Sequence, residues 1–223
     1  MAVQFLDKRL TQLKSLIASM GGCVEQMLVD AKKITFRKDI NKENLYQIVR
    51  TREIEIDSLQ VQLDKYCFRA LARQAPLAKD LRIILSIISA NTSLERMGDL
   101  SLSIAKKGKN LKEDPLLEDS LKSLEEMFNH IYSMVLSCLN SFINEDEKMA
   151  REVIQLDHKA DQLKESISLK LKECILENTD LIDTCIQLVS ISEKLERIGD
   201  QATNISEEVV FMQTGLDIKH QKN

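Results

Sequence analysis

Apolar residues recur along this chain at three- and four-residue intervals almost from end to end, the period of helices buried on one face. The pattern predicts six helices, over about 4–33, 39–72, 77–107, 116–143, from the acidic turn 144–146 to 177, and from the turn 178–180 to 212. Asp39 reads as the N-cap of the second helix. Pro76 interrupts the chain between the second and third helices, and the stretch from Lys107 to Pro115, with Gly108 and Asn110, reads as the linker. Residues 213–223 read as a frayed tail. Gly21 and Gly22 lie inside the first helix, where each costs roughly 1 kcal/mol against alanine, so a close packing contact or a bend is expected there.

The pattern also repeats. Glu95-Arg96-Met97-Gly98-Asp99 returns as Glu196-Arg197-Ile198-Gly199-Asp200, a shift of 196 − 95 = 101 residues that also matches Leu94 with Leu195 and Ile104 with Ile205. Upstream, Glu53 and Asp57 correspond to Asp157 and Asp161 at a shift of 157 − 53 = 104, and the three-residue difference falls in the Arg73-Gln74-Ala75-Pro76 loop. The fold class that follows is all-α: two tandem three-helix bundles, each up-down-up, related by an internal pseudo-twofold repeat. The boundaries are 1–109 for the first unit, 110–115 for the linker, 116–213 for the second unit and 214–223 for the tail. Helices of this length are about 45 Å long at 1.5 Å per residue, which predicts an elongated pair of bundles.

Helical spacing then gathers acids. Glu95 and Asp99 share one face of the third helix, with Thr92 and Ser103 extending it; Glu193, Glu196, Asp200 and Asn204 share one face of the sixth. At about 100° per residue these faces lie roughly 130–170° from the apolar stripes, so the acids form an outer band rather than a buried centre. Earlier in the same helices that face is apolar, with Leu81, Leu85 and Ile88 in one and Ile182, Ile186 and Val189 in the other. Antiparallel packing brings Glu53 and Asp57 toward Glu95 and Asp99, and Asp157 and Asp161 toward Glu196 and Asp200. Two readings stand. One is a solvated charged surface relieved by pairs such as Glu193 with Arg197. The other is a pair of all-oxygen sites suited to hard ions such as magnesium, manganese, calcium or iron. Gly98 and Gly199 in mid-helix predict a steric need for close approach.

Composition narrows the classes. Hydrophobic residues are 43% and charged residues 30% of 223, with 2 Pro, 6 Gly and no Trp, which excludes a β-sandwich or a disulfide-built fold. Net charge is −4 with cations dispersed along the chain, so nucleic acid is not an expected partner. No apolar run reaches the ~18 residues of a membrane span and the first 20 residues lack a signal-peptide core, so a cytoplasmic protein without membrane insertion is expected. Five cysteines without C-x-x-C spacing read as buried reduced thiols. A di-iron carboxylate enzyme would need Glu-x-x-His pairs. His130, His158 and His220 are the only histidines and none stands in one. No phosphate loop or nucleophile motif is present, so no catalytic residue is assigned.

The two LERxGD segments, Leu94–Asp99 and Leu195–Asp200 with its continuation Gln201-Ala202-Thr203-Asn204-Ile205, resemble the twin signatures of PhoU proteins. So do Arg73-Gln74-Ala75-Pro76-Leu77-Ala78-Lys79-Asp80-Leu81-Arg82 and Met20-Gly21-Gly22-Cys23-Val24, and the resemblance runs from about residue 4 to 212. It implies a cytoplasmic, often dimeric protein that represses the phosphate-starvation response, acting between the Pst phosphate transporter, through its ATPase, and a phosphate-sensing histidine kinase. It also implies E(D)xxxD faces that hold metal clusters, iron or zinc in some members, with the motif positions falling on Glu53, Asp57, Glu95, Asp99, Asp157, Asp161, Glu196 and Asp200. Ser103 stands where the second half has Asn204, a departure from symmetry between the sites. A regulator of a different phosphate carrier, or a metal-binding helical adaptor unrelated to phosphate, remains an alternative.

Overall fold

The structure, a computed structural model, describes residues 2–74 and 76–218. Six α-helices carry the chain among these residues, with no strand: α1 (Ala2–Phe36), α2 (Lys42–Gln74), α3 (Ala78–Gly108), α4 (Glu118–Asn144), α5 (Glu147–Glu177) and α6 (Ile182–Thr214). Single 3-10 turns at Pro115–Leu117 and Thr179–Leu181 lead into α4 and α6. The caps follow local chemistry. Asp146 accepts from the Met149 amide at 3.0 Å to start α5, and Asn178 accepts from the Asp180 amide at 3.1 Å ahead of α6. For α2 the expected cap is corrected: Asn41, not Asp39, accepts the Asn44 amide, at 2.9 Å. Asp39 is taken by Arg37, whose Nε and Nη2 donate to its two oxygens at 2.8 Å each, and a carboxylate held in that fork is not free to cap. At the other end, Gly215 in the left-handed region (φ 75°) closes α6; residues 215–218 are irregular, while 219–223, including His220, lie outside the described residues.

α1, α2 and α3 pack on one another, as do α4, α5 and α6, giving two three-helix bundles. The bundles are not separate bodies strung on a linker. α1 lies along α4 and α3 along α6, so four helices form a shared middle with α2 and α5 outside. Both seams are antiparallel. Tyr132 donates to Glu25 at 2.9 Å and Lys32 to Asn129 at 2.8 Å across α1 and α4; Ser86 donates to the Glu208 carbonyl at 3.2 Å and Arg82 to the Met212 carbonyl at 3.3 Å across α3 and α6. The middle is filled by Leu, Ile, Val and Met with two fully buried phenylalanines, Phe128 and Phe142. Gly21 explains itself here: a Cβ would stand 2.6 Å from a Leu139 methyl of α4, whereas Gly22 faces no atom within 4 Å.

A polar clasp joins the halves at one end. Glu145, between α4 and α5, is in the left-handed region (φ 53°) and its carboxylate receives Lys14 of α1, Lys79 of α3 at 3.0 Å and Gln213 of α6 at 2.6 Å. Partial burial pushes this carboxyl up, but the hydrogen bonds from Lys14, Lys79 and Gln213 outweigh it and carry it down to about 2. No helix among the described residues is long and apolar enough to cross a membrane. All five cysteines are free thiols, four of them buried, and burial pushes Cys67 up to about 12.

Candidate functional site: twin acidic faces

The first face lies between α2 and α3. A Cβ at Gly98 would meet the Ile56 side chain at 2.9 Å, so the missing side chain lets the two acid-bearing helices approach. Glu53 and Glu95 are half-buried and Asp57 and Asp99 exposed. Burial and then repulsion from Asp57 and Asp99 raise Glu53; burial and then Asp99 and Asp57 raise Glu95; burial and then Asp57 raise Asp99. Glu53, Asp57, Glu95 and Asp99 are thus near enough to repel one another. Arg50 and Arg96 relieve this repulsion only from a distance, because none of the four acids has a salt-bridge partner among the described residues.

The second face lies between α5 and α6, and Gly199, the repeat of Gly98, gives room chiefly to α4 rather than to the acid-bearing α5. Its absent side chain would meet Ile131 of α4 at 3.0 Å and Asp157 Oδ1 at 3.7 Å. Asp157, Glu196 and Asp200 are half-buried, and Asp161 is exposed. Burial, then Glu196, Asp157 and Asp161, push Asp200 up to about 6. Burial and then Asp161 raise Asp157, with Thr203 and His130 pulling the other way. Unlike the first face, this one contains a cation. Lys164 Nζ lies 2.6 Å from Glu196 and 3.4 Å from Asp161.

Of the two further residues expected on this face, Glu193 shares its groove and Asn204 does not. Glu193 is exposed on the rim of an open groove of about 620 Å³ shared with Asp161, Lys164, Lys194, Glu196 and Arg197. The expected Glu193–Arg197 pair does not close within salt-bridge distance: both side chains are solvated, and holding two long side chains together in water gains little. Asn204 faces the other way, into a groove with Leu85, Ile88, Thr92 and Arg96 of α3. Two participants are not acids, Lys164 and His130. Lys164, three residues after Asp161 on the same helical face, was open to the same spacing argument. His130 is nearly buried on α4 with Nε2 2.9 Å from the Leu156 carbonyl, next to Asp157, a placement that only tertiary packing reveals. His158 is exposed and bonds Gln162 at 3.0 Å.

Among the described residues no group of three or more His, Cys, Asp or Glu stands close enough together to hold a metal ion as it is. The donor chemistry of the first face, four carboxylates under mutual repulsion with no cation among them, fits a hard ion that would draw them inward. The second face already holds the Lys164 ammonium against Glu196 and Asp161.

Fold and faces define a duplicated helical-bundle protein that carries one acidic face on each repeat. The PhoU domain family matches residues 17–108 and 124–209, one copy per bundle. The "Phosphate-specific transport system accessory protein PhoU homolog 1" of Thermotoga maritima is 32% identical over 213 residues, 96% of this chain and 90% of that one. The homolog of the same accessory protein in Zymomonas mobilis is 34% identical over 218 residues, 96% and 88% of the two chains. The crystal structure of the phosphate transport system regulatory protein PhoU from Streptococcus pneumoniae superposes with a TM-score of 0.86 at 29% identity, covering 96% of this chain and 99% of that one. The chain belongs to the PhoU family.

Proposed function

We propose that this chain is a non-catalytic, cytoplasmic regulator of a phosphate-specific transporter. It restrains phosphate uptake and the phosphate-starvation response by contacts with the transporter ATPase and a phosphate-sensing histidine kinase. The observation that carries this reading is similarity over nearly the full chain, both repeats included, to relatives named as phosphate-specific transport accessory proteins. The acidic faces are the docking surfaces. On the first, Glu53, Asp57, Glu95 and Asp99 would hold a metal ion, with iron, zinc, magnesium and manganese as the candidates; bound there, it would neutralise like charge and stiffen α2 against α3.

The protein works as a homodimer paired through the exposed apolar starts of α3 and α6. Leu81 and Leu85 are 37% and 43% exposed, Ile182 and Ile186 45% and 58%, whereas Ile88 and Val189 are half-buried against the protein's own core. Antiparallel packing of α3 on α6 sets these two patches at opposite ends of the seam.

Expression in a bacterium lacking its own PhoU, with alkaline phosphatase assayed in high phosphate, tests the reading. Restored repression is expected. Persistent high phosphatase from a soluble, helical protein, repeated in its own host after deletion of the gene, would refute it.

A further inference from the structure

The two acidic faces are repeats of one another, yet they differ in charge closure. At the upstream shift of 104, Lys164 corresponds to position 164 − 104 = 60, which is Gln60. Gln60 is uncharged, and its backbone carbonyl accepts from Asn91 Nδ2 at 3.1 Å. At the downstream shift of 101, Lys194 on the rim of the second face corresponds to position 194 − 101 = 93, which is Ser93. Thus the second face has one cation among its acids, Lys164, and one on its rim, Lys194, and neither has a counterpart on the first.

We propose that Lys164 is the resident cation of the second acidic face, standing where a metal ion would stand, so that the first face alone is left for an ion. A primary ammonium has three donors and no directional fork, so it can bridge Glu196 at 2.6 Å and Asp161 at 3.4 Å as a compact point charge. Tethered to α5, it is present at an effective concentration that a free ion has to overcome. An entering divalent ion would also have to evict it and then bear repulsion from the displaced ammonium and from Lys194. On the first face an ion meets neither obstacle. This inference rests on the reading of the first face as a site for an ion, and the test separates the two.

The full chain is stripped with chelator, and binding of manganese(II) is counted by electron paramagnetic resonance of the free ion. Wild-type binding is expected to vanish in Asp99→Asn and to be unchanged in Asp200→Asn. Lys164→Gln, which installs the first half's residue, should add a second class of bound ion that Asp200→Asn then removes. Gln60→Lys should abolish the first class. If wild-type binding survives Asp99→Asn and is lost only when Asp200→Asn is added, the second face takes an ion beside Lys164 and the inference is overturned while the ion reading stands. If only Lys164→Gln binds, the inference holds for the second face and the ion reading of the first face fails. If nothing binds, that reading fails and melting in chelator decides the rest. Lys164→Gln lowering the midpoint by about 2–4 °C, with Lys164→Arg recovering it, upholds the lysine as the face's cation, and an unchanged midpoint overturns it.

Discussion

Both halves close on the carboxylate of Glu145, and Glu145→Gln isolates its charge while keeping its shape and its left-handed backbone. The group sits at about 2 against an ordinary value of 4.5 and its side chain is 20% exposed. At about 1.4 kcal/mol per pH unit that shift corresponds to about 3 kcal/mol, of which solvent screening leaves roughly 1–2 kcal/mol. The sign follows from the depressed value. The unfolded glutamate takes up a proton near 4.5 and the folded one only near 2. The stabilisation is therefore complete above about pH 4.5 and is lost as pH falls toward 2. Urea unfolding followed by circular dichroism should show wild type more stable than Glu145→Gln by roughly 1–2 kcal/mol at about pH 7, with the gap shrinking to under half near pH 3. A gap that is absent at neutral pH, or equal at both pH values, would refute the assignment of that stability to an ionised clasp.

Gly21→Val should destabilise the protein by about 1–3 kcal/mol in thermal melts, because its Cβ would enter the Leu139 contact, while Gly22→Ala, facing open space, should stabilise by up to about 1 kcal/mol. Asn41→Ala should cost about 1 kcal/mol by loss of the α2 cap, and Asp39→Ala much less, since its partner Arg37 is an exposed surface pair; equal losses in chemical denaturation would contradict the cap assignment. Ile186→Glu should shift the sedimentation profile from dimer to monomer without loss of helicity, and an unchanged profile would remove the start of α6 from the interface.

Much of this architecture is legible in the order of the amino acids. Six helices follow from a 3.6-residue apolar period sustained over about 30 residues each, and the duplication follows from the 101-residue echo of Glu95–Asp99. Gly98 and Gly199 are readable too, since glycine in mid-helix is unfavourable unless something approaches closely, and both do meet an isoleucine. The features that are not legible depend on which neighbour wins a given atom. Asp39 has the right residue type for a cap, but Arg37 two residues earlier claims both of its oxygens. Asn204 and Asp200 are four residues apart on α6, yet α6 sits between α3 and α5, so small differences in angle send Asn204 toward one and Asp200 toward the other. The side-by-side packing of the bundles also lies beyond the pattern, because a helix apolar on two sides does not say which partner covers each.

The antiparallel seams have an evolutionary consequence. α1 on α4 and α3 on α6 are the contacts that two separate copies of a three-helix unit would make across a twofold axis, so the chain reads as a pair of such units joined end to end. In an association of identical copies every substitution appears on both sides at once, and a lysine placed among the acids of one copy would also be placed in the other. Once the copies share a chain, that constraint ends. Within one chain position 164 can be lysine while position 60 is glutamine, so two sites related by the repeat are free to specialise.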